Sequence, residues 1–319
     1  MVEQEWRAVA TVESLTARAE IVRSIRDWFY RNQVLEVETP QLSLGATTDP
    51  QIESFAVGNR HLRTSVEFHH KRLLASGYPD IYELGKVFRV DESGRHHNPE
   101  FSMLEWYRLG MDHLQLISDV EALLQCLHDD PTLAIERISY RELWRQVTRI
   151  DLASAQCKEI VLFLEGEGVS VPDAVLDNFD ALQDLAMATV IAESLTENQY
   201  TAIYDYPASQ ASLARLNQSD PQWWVASRFE IYYGSVELAN GFHELCNASE
   251  QLARFESDNA TRAENMQSTM PIDRHFIEAL DNGLPDCAGV AIGVDRLMMV
   301  LMDDISQLQQ VLSFDWARA

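Results

Sequence analysis

Residues 81–110 constrain the fold more than any other part of this 319-residue chain. Residues 81–91 read as a strand, 92–100 as a polar loop, and 101–110 as a second strand running back. Residues two apart in a strand share a face. Arg89 and Asp91 therefore point one way on the first strand. On the second, Phe101, Met103, Glu105 and Tyr107 share a face, while Leu104 and Trp106 take the other. One face suits a core. The other carries an arginine, two acids and a tyrosine, and an acid such as Glu105 in an apolar strand is costly to bury unless it meets a cation. Either that face is solvated or it is built around a charged ligand.

A nine-residue connection is long for a hairpin, and loops of that size tend to carry function. Its run Gly94-Arg95-His96-His97-Asn98-Pro99-Glu100 gathers donors beside Phe101. That suits an anionic, planar ligand such as a nucleotide, with charge for phosphates and a ring for stacking; an ordinary polar turn reads the same way. The adjacent histidines lack a third ligand at metal-binding spacing. Further on, Glu237 and Glu244 flank a glycine-containing bend at Gly241. Carboxylates held so suit Mg²⁺, which takes one or two acid ligands and completes its shell with water and phosphate, although acids on a surface turn fit as well. His243-Glu244 does not open an HExxH motif, because Asn247 stands at the last position. In Gly289-Val290-Ala291-Ile292-Gly293-Val294-Asp295-Arg296 a glycine-punctuated strand runs into a helix over 297–302. Arg296 falls at the helix N-terminus, where backbone N–H groups already favour anions. Neither GxGxxG nor GxxxxGK[ST] is present, which excludes Rossmann and P-loop readings.

Around these segments the chain alternates helices and strands. Residues 18–31 are an amphipathic helix, with Ile21, Val22, Ile25, Trp28 and Phe29 at three- and four-residue spacing, followed by a strand over 34–40. Residues 60–75 read as a strand entering a helix, and 112–128 and 139–148 as helices. A strand ends at Pro207, a helix covers 209–216, strands cover 229–233 and 236–240, and a helix covers 250–264. Residues 150–200 are acidic and helix-prone, without recognisable chemistry. Residues 1–319 thus read as a single domain with a helical insertion at about 150–200.

Composition narrows the setting. Hydrophobic residues make up 46%, enough for a sizeable core. No apolar stretch approaches the roughly 20 residues that span a bilayer, and the N-terminus has no signal-peptide pattern. Cys126, Cys157, Cys246 and Cys287 are far apart and read as reduced thiols, which points to the cytoplasm. Twenty-five basic against fifty acidic residues give a formal net charge of −25, a field that opposes binding to a phosphate backbone. The same acidity also aids solubility.

Taken together, the motifs resemble the three signatures of class II aminoacyl-tRNA synthetases, in the right order: the first helix and strand up to Pro40, Phe88-Arg89 with GRHHNPEF, and GVAIGVDR. HNPEFSMLEWY and ELANGFHEL resemble the lysyl branch. A closer likeness is to the elongation factor P β-lysine ligases, which look like lysyl enzymes without the N-terminal anticodon-binding barrel. The chain begins about 18 residues before the first helix, leaving no room for that barrel. Tyr206-Pro207-Ala208-Ser209-Gln210-Ala211-Ser212-Leu213-Ala214 and Ala291, where tRNA-charging lysyl enzymes usually carry glycine, also fit the ligases. A methyl group there is consistent with a β-amino acid.

The resemblance implies an α+β fold, the class II catalytic fold of a mainly antiparallel sheet flanked by helices, and a homodimer through the first helix. It implies ATP and Mg²⁺ as cofactors, and (R)-β-lysine or lysine and elongation factor P as partners; the acidic charge balance argues against tRNA as a partner, and no membrane is expected. Arg89 would bridge the amino-acid carboxylate and the ATP α-phosphate. Phe101 would stack on adenine with Asp91 and Asn98 nearby, while Leu238 and Gly293 complete the ATP site. Glu237, with Glu244, would hold Mg²⁺, and Arg296 would meet the γ-phosphate, making Arg89, Glu237 and Arg296 the catalytic set. Ser65, Glu67, Glu105, Tyr107, Glu244 and Ala291 would surround the substrate amines. Acids crowded in this way would raise one another's pKa values, with a divalent ion and a diamino acid as the compensating cations. Two departures stand out. Ser65-Val66-Glu67 replaces Ser-Pro-Glu, and Arg89-Val90-Asp91 replaces Arg-Asn-Glu, leaving either Asp91 or Glu92 to meet the base. The same motifs would also serve an enzyme passing its adenylate to tRNA or another amine, or a non-catalytic, amino-acid-binding regulatory paralogue.

Overall fold

A computed structural model describes residues 6–90, 92–219, 222–302 and 305–319. The fold is α+β with mainly antiparallel strand pairing, and the chain divides into two compact units. The first comprises Met1–Met111, Ala122–Thr132 and Cys246–Ala319; the second comprises Asp112–Glu121 and Leu133–Leu245.

In the first unit, the helix Val12–Arg31 opens at Thr11, whose hydroxyl accepts from Ser14 N at 3.1 Å. It buries Ile25, Trp28 and Phe29, the stripe that the three- and four-residue spacing defines. Its target is the sheet formed by this unit's strands, paired in the order Leu35–Glu36, Ile81–Phe88, Glu100–Leu109, Cys287–Gly293. The first pair is parallel and the other two are antiparallel. Phe29 stacks on Tyr82 with centroids 4.1 Å apart and meets Trp106 edge-on at 5.4 Å. Aromatic contacts of this kind add to the area they bury. On the sheet's other face the helices Glu67–Ala75 and Arg274–Gly283 pack against each other, with Phe68 stacked on Phe276 at 4.7 Å. A small sheet of Leu42–Ser43, Arg60–Leu62 and Ala56–Val57 completes the unit's strands.

In the second unit, Val236–His243 pairs antiparallel with Val225–Tyr233, which pairs antiparallel with Tyr200–Pro207, which in turn pairs parallel with Glu136–Ser139. Helices Tyr140–Thr148, Cys157–Gly166 and Phe179–Ala186 bury Tyr140, Trp144, Ile160, Leu164 and Leu182 with Ile203 and Tyr206 of the strands.

Three expectations change. The segment expected as a helix over 209–216 holds only the 3₁₀ turn Ala208–Gln210 before the short strand Leu216–Asn217, which adds to the edge of Val225–Ala226. Its backbone groups go to strand partners instead: Leu245 N donates to Leu213 O at 3.0 Å and Arg215 N to His243 O at 2.9 Å. The strand expected over 34–40 is confined to Leu35–Glu36, since pairing with Ile81 and Tyr82 stops there. Gly241 lies within the strand Val236–His243 rather than at a bend.

Because Phe29 is fully buried among Tyr82, Trp28 and Trp106, Phe29→Ala is expected to cost about 3–5 kcal/mol. Urea unfolding followed by circular dichroism checks this, and a cost below about 1 kcal/mol would show that the cluster repacks.

Candidate active site

Strand register assembles one face of the first unit. Glu83 lies opposite Glu105 on one side and Ala291 lies opposite it on the other. Gly85 and Gly293 flank Met103 in the next row, and Ile81 and Gly289 flank Tyr107 in the row before. The pleat that aims Trp106 at Phe29 thereby aims Glu105 the opposite way.

Glu105 is buried. Its carboxylate accepts from Ser65 Oγ at 2.8 Å, Tyr107 Oη at 2.8 Å and Val66 N at 3.4 Å. Ser65 Oγ also accepts from Glu67 N at 3.0 Å, so one hydroxyl fastens the start of helix Glu67–Ala75 to Glu105. Burial pushes the Glu105 carboxyl up; the charge of Glu67 adds to that, while His70 and the donors Tyr107 and Ser65 oppose it. Four sequence-predicted residues, Ser65, Glu105, Tyr107 and Ala291, are therefore in one place, with Glu67 alongside.

Glu67 brings its own cation. Its Oε1 lies 2.5 Å from Nζ of Lys71, a fully buried lysine 5.7 Å from the centroid of Phe276. Glu83 is likewise compensated, by Arg63 at 2.6 Å, Thr39 Oγ1 at 2.8 Å and His70 Nε2 at 3.3 Å. Burial works against its ionised form, but these donors and the Arg63 charge hold its carboxyl below the usual range.

The nucleotide-type residues form a second cluster of the same unit. The Arg89 guanidinium sits 5.2 Å over the Phe101 ring, donates to Thr64 O at 3.3 Å and meets Glu92 Oε1 at 3.2 Å. Asp91 lies outside the described residues. Asn98 is tied down on both ends: Nδ2 donates to Glu100 O at 2.6 Å and Oδ1 accepts from Trp316 N at 2.9 Å. Arg296, in the helix Val294–Leu301, donates through Nε to His96 O at 3.1 Å and through Nη2 to His97 Nε2 at 2.6 Å. Burial, then the Arg296 charge, holds His97 below its ordinary value, which suits an imidazole acting as acceptor. The preceding Asp295 is buried, pairs with Arg18 at 2.7 Å and accepts from Ser102 N at 2.8 Å, fixing the helix start against two other elements.

In the second unit Glu237 is half-buried, Leu238 is buried and Glu244 is fully buried. The charge of Glu237 acts on Arg228 and Tyr232. Arg228 pairs with Glu230 at 2.5 Å and donates to Asn240 Oδ1 at 3.2 Å, while Tyr206 and Tyr232 both donate to Glu230 Oε2 at 2.7 Å. Two carboxylates, hard oxygen donors, suit Mg²⁺ together with water and phosphate. Among the described residues no group of three or more His, Cys, Asp or Glu side chains is placed to hold a metal ion by itself.

Sequence reasoning passed over Arg63, His70, Lys71, Glu83 and the Arg228–Glu230 pair. Glu83 was within reach, because the alternation that flags Glu105 flags it too. Lys71 stands four residues after Glu67, the spacing of a helical ion pair. Arg63 gives no signal, since a turn brings it to Glu83.

This constellation, a carboxylate-lined face beside an arginine over an aromatic ring, sits in a chain that matches the family model of class II tRNA synthetases (D, K and N) over residues 5–316. The chain belongs to the class II tRNA synthetase family. Its relatives include proteins named elongation factor P–(R)-β-lysine ligase. The one from Vibrio cholerae is 43% identical over the full length of both chains, and the one from Vibrio vulnificus is 43% identical over 93% of this chain and 94% of its own. The one from Haemophilus ducreyi is 40% identical over 98% of this chain and 97% of its own.

A raised carboxyl binds its proton more readily in the folded than in the unfolded chain, so ionising Glu105 removes stability as pH climbs from the unfolded value of 4.5 through the folded one. Glu105→Gln is free of this effect. Its melting temperature is expected to gain on the wild type progressively between about pH 5 and pH 8. A difference independent of pH across that range would show that Glu105 is not held against its ionisation.

Proposed function

We propose that this chain is an ATP-dependent ligase that activates (R)-β-lysine, or lysine more weakly, as the aminoacyl-adenylate and transfers it to a lysine side chain of elongation factor P. The observation that carries the reading is Glu105. It is a buried carboxylate whose hydrogen-bond donors among the described residues are all neutral, set opposite Ala291 in a chain whose full-length relatives carry that ligase name. Such a group favours a ligand that brings an ammonium and rejects analogues without one, because they leave a buried charge unpaired.

In the first step a carboxylate oxygen of the amino acid attacks the α-phosphorus of ATP, and pyrophosphate leaves. Arg89 neutralises the charge that develops there, a contact that matters most in the transition state. Phe101, already faced by a cation, takes the adenine ring, with Asn98 and Gly293 of the same unit forming more of the nucleotide site and Asp91 or Glu92 meeting the base. Arg296, poised by His97, takes the γ-phosphate. Glu237 and Glu244 would hold Mg²⁺, which when bound neutralises phosphate charge and makes pyrophosphate a better leaving group. In the first unit Ser65, Glu67, Glu105, Tyr107 and Ala291 receive the amino acid. In the second step the acceptor amine attacks the acyl carbon, AMP leaves with the bonding pair, and the amine gives up its proton as the amide forms.

We place the enzyme in the cytoplasm as a homodimer acting as one catalytic domain. Exposed Val12, Tyr30 and Leu35 at the first helix and the strand after it support a subunit interface, and no helix among the described residues is long and apolar enough to cross a membrane.

Two measurements test the reading. Pyrophosphate exchange by Arg89→Ala is expected to fall at least about 100-fold, the scale of one lost transition-state donor; near-normal exchange would refute the assigned role. Acyl transfer from labelled (R)-β-lysine is expected to reach elongation factor P and not tRNA, and transfer to tRNA alone would sink the proposal.

A further inference from the structure

The constellation around Glu105 contains three buried or nearly buried carboxylates, and their compensation is uneven. Glu67 has Lys71. Glu83 has Arg63, with Thr39 and His70 completing its shell. Glu105 has only hydroxyl and amide donors among the described residues. The five side chains Arg63, Glu67, Lys71, Glu83 and Glu105 carry three acids against two bases, and Glu105 is the acid of the three without a lysine or arginine among its hydrogen-bond partners.

Several features hold Arg63 to Glu83 and away from Glu105. Its Nη1 is spent on Glu83 Oε1, on Thr39 O at 3.0 Å and on Thr39 Oγ1 at 2.9 Å, and its Nε on Lys86 O at 2.9 Å. Gly85 leaves the space the guanidinium needs: a Cβ there would stand 2.6 Å from Arg63 Nη2 and 3.2 Å from Glu83 Oε1. Glu83 and Glu105 are direct cross-strand neighbours, so their side chains start about 5 Å apart at Cβ. A cation released from Glu83 is therefore within a side chain's reach of Glu105. His70 contacts Glu83 with its Nε2, and its ring meets Tyr107 edge-on at 5.5 Å.

We propose that Arg63 and Glu83 are specificity-determining positioning residues: Glu83 sequesters Arg63 so that Glu105, alone of these three acids among the described residues, keeps no lysine or arginine partner and selects a substrate with a distal amine. The inference rests on the ligase reading above, and deepens it by assigning residues beneath the amine site. Removing the negative charge of Glu83 frees an internal guanidinium to pair with Glu105, which then competes with the substrate ammonium. Removing both charges restores the balance.

The test is amino-acid-dependent pyrophosphate exchange with (R)-β-lysine and with lysine, recording KM for the amino acid and for ATP separately. Glu83→Gln is expected to raise the amino-acid KM at least tenfold and leave the ATP KM within about twofold. Arg63→Met with Glu83→Gln is expected to return the amino-acid KM to within about threefold of wild type. A parallel change in both KM values for Glu83→Gln, or a double variant no better than the single one, overturns the proposal. Should the single variant fail to fold, as judged by its melting curve, the double variant decides alone: an amino-acid KM near wild type supports sequestration and a raised one refutes it. Wild-type protein that exchanges with neither amino acid would instead overturn the ligase reading, a separate result.

Discussion

The pleat of the strand Glu100–Leu109 is the constraint on which the first unit depends. Two-residue alternation commits Leu104 and Trp106 to one side and Met103, Glu105 and Tyr107 to the other. Trp106 has to meet Phe29, and that packing fixes the register, because a slip of one residue would turn Glu105 into the aromatic cluster. The apolar side therefore locates the carboxylate with the rigidity of a core. A site aimed by a strand in this way holds its geometry better than one carried on a loop.

Around that strand the charge accounting explains why so many ionisable groups can be buried together. An isolated buried ion is expensive, and the same ion with a hydrogen-bonded partner is tolerated. Arg63–Glu83, Lys71–Glu67 and Arg18–Asp295 are internal pairs of this kind, each tying the strand or helix that bears the acid to another turn or element. Glu105 departs from the pattern, and burial, with the charge of Glu67 added, pushes its carboxyl up. Crowded acids need cations, and the protein supplies most of them itself.

Much of this was legible in the amino-acid sequence, and the boundary of what was legible is physical. The helix up to Arg31 and the strands at 81, 101 and 287 announce themselves by apolar periodicity, a local property of the chain. The face carrying Glu105 follows from alternation alone, and the resemblance to class II synthetases follows from three ordered motifs. Residues 209–216 misled because their apolar spacing mimics a helix, whereas the backbone there is satisfied by Leu245, His243 and the edge at Val225. The helix Arg274–Gly283 went unremarked although Phe276 anchors it on Phe68, a partner some 200 residues away in sequence that no local pattern reveals. Arg63 is invisible for the same reason.

Long-range pairing also bears on how the nucleotide-type loop is held. Asn98 has the motif position of a ligand contact, yet both ends of its amide are engaged, one by the backbone of Trp316. Arg95 donates to Ser306 O at 2.8 Å and accepts through its own carbonyl from Leu308 N at 3.0 Å. The last fifteen residues thus brace the loop from outside by backbone contacts, which depend on shape more than on side-chain identity. On its other side Arg296 engages His96 and His97. A long hairpin loop held from two directions loses most of its freedom before any ligand arrives, so the ordering entropy is met at folding and not at binding. That is how a polar loop, which by composition alone would be mobile, can be held in a fixed geometry between the arginine and the aromatic ring that flank it, Arg89 and Phe101.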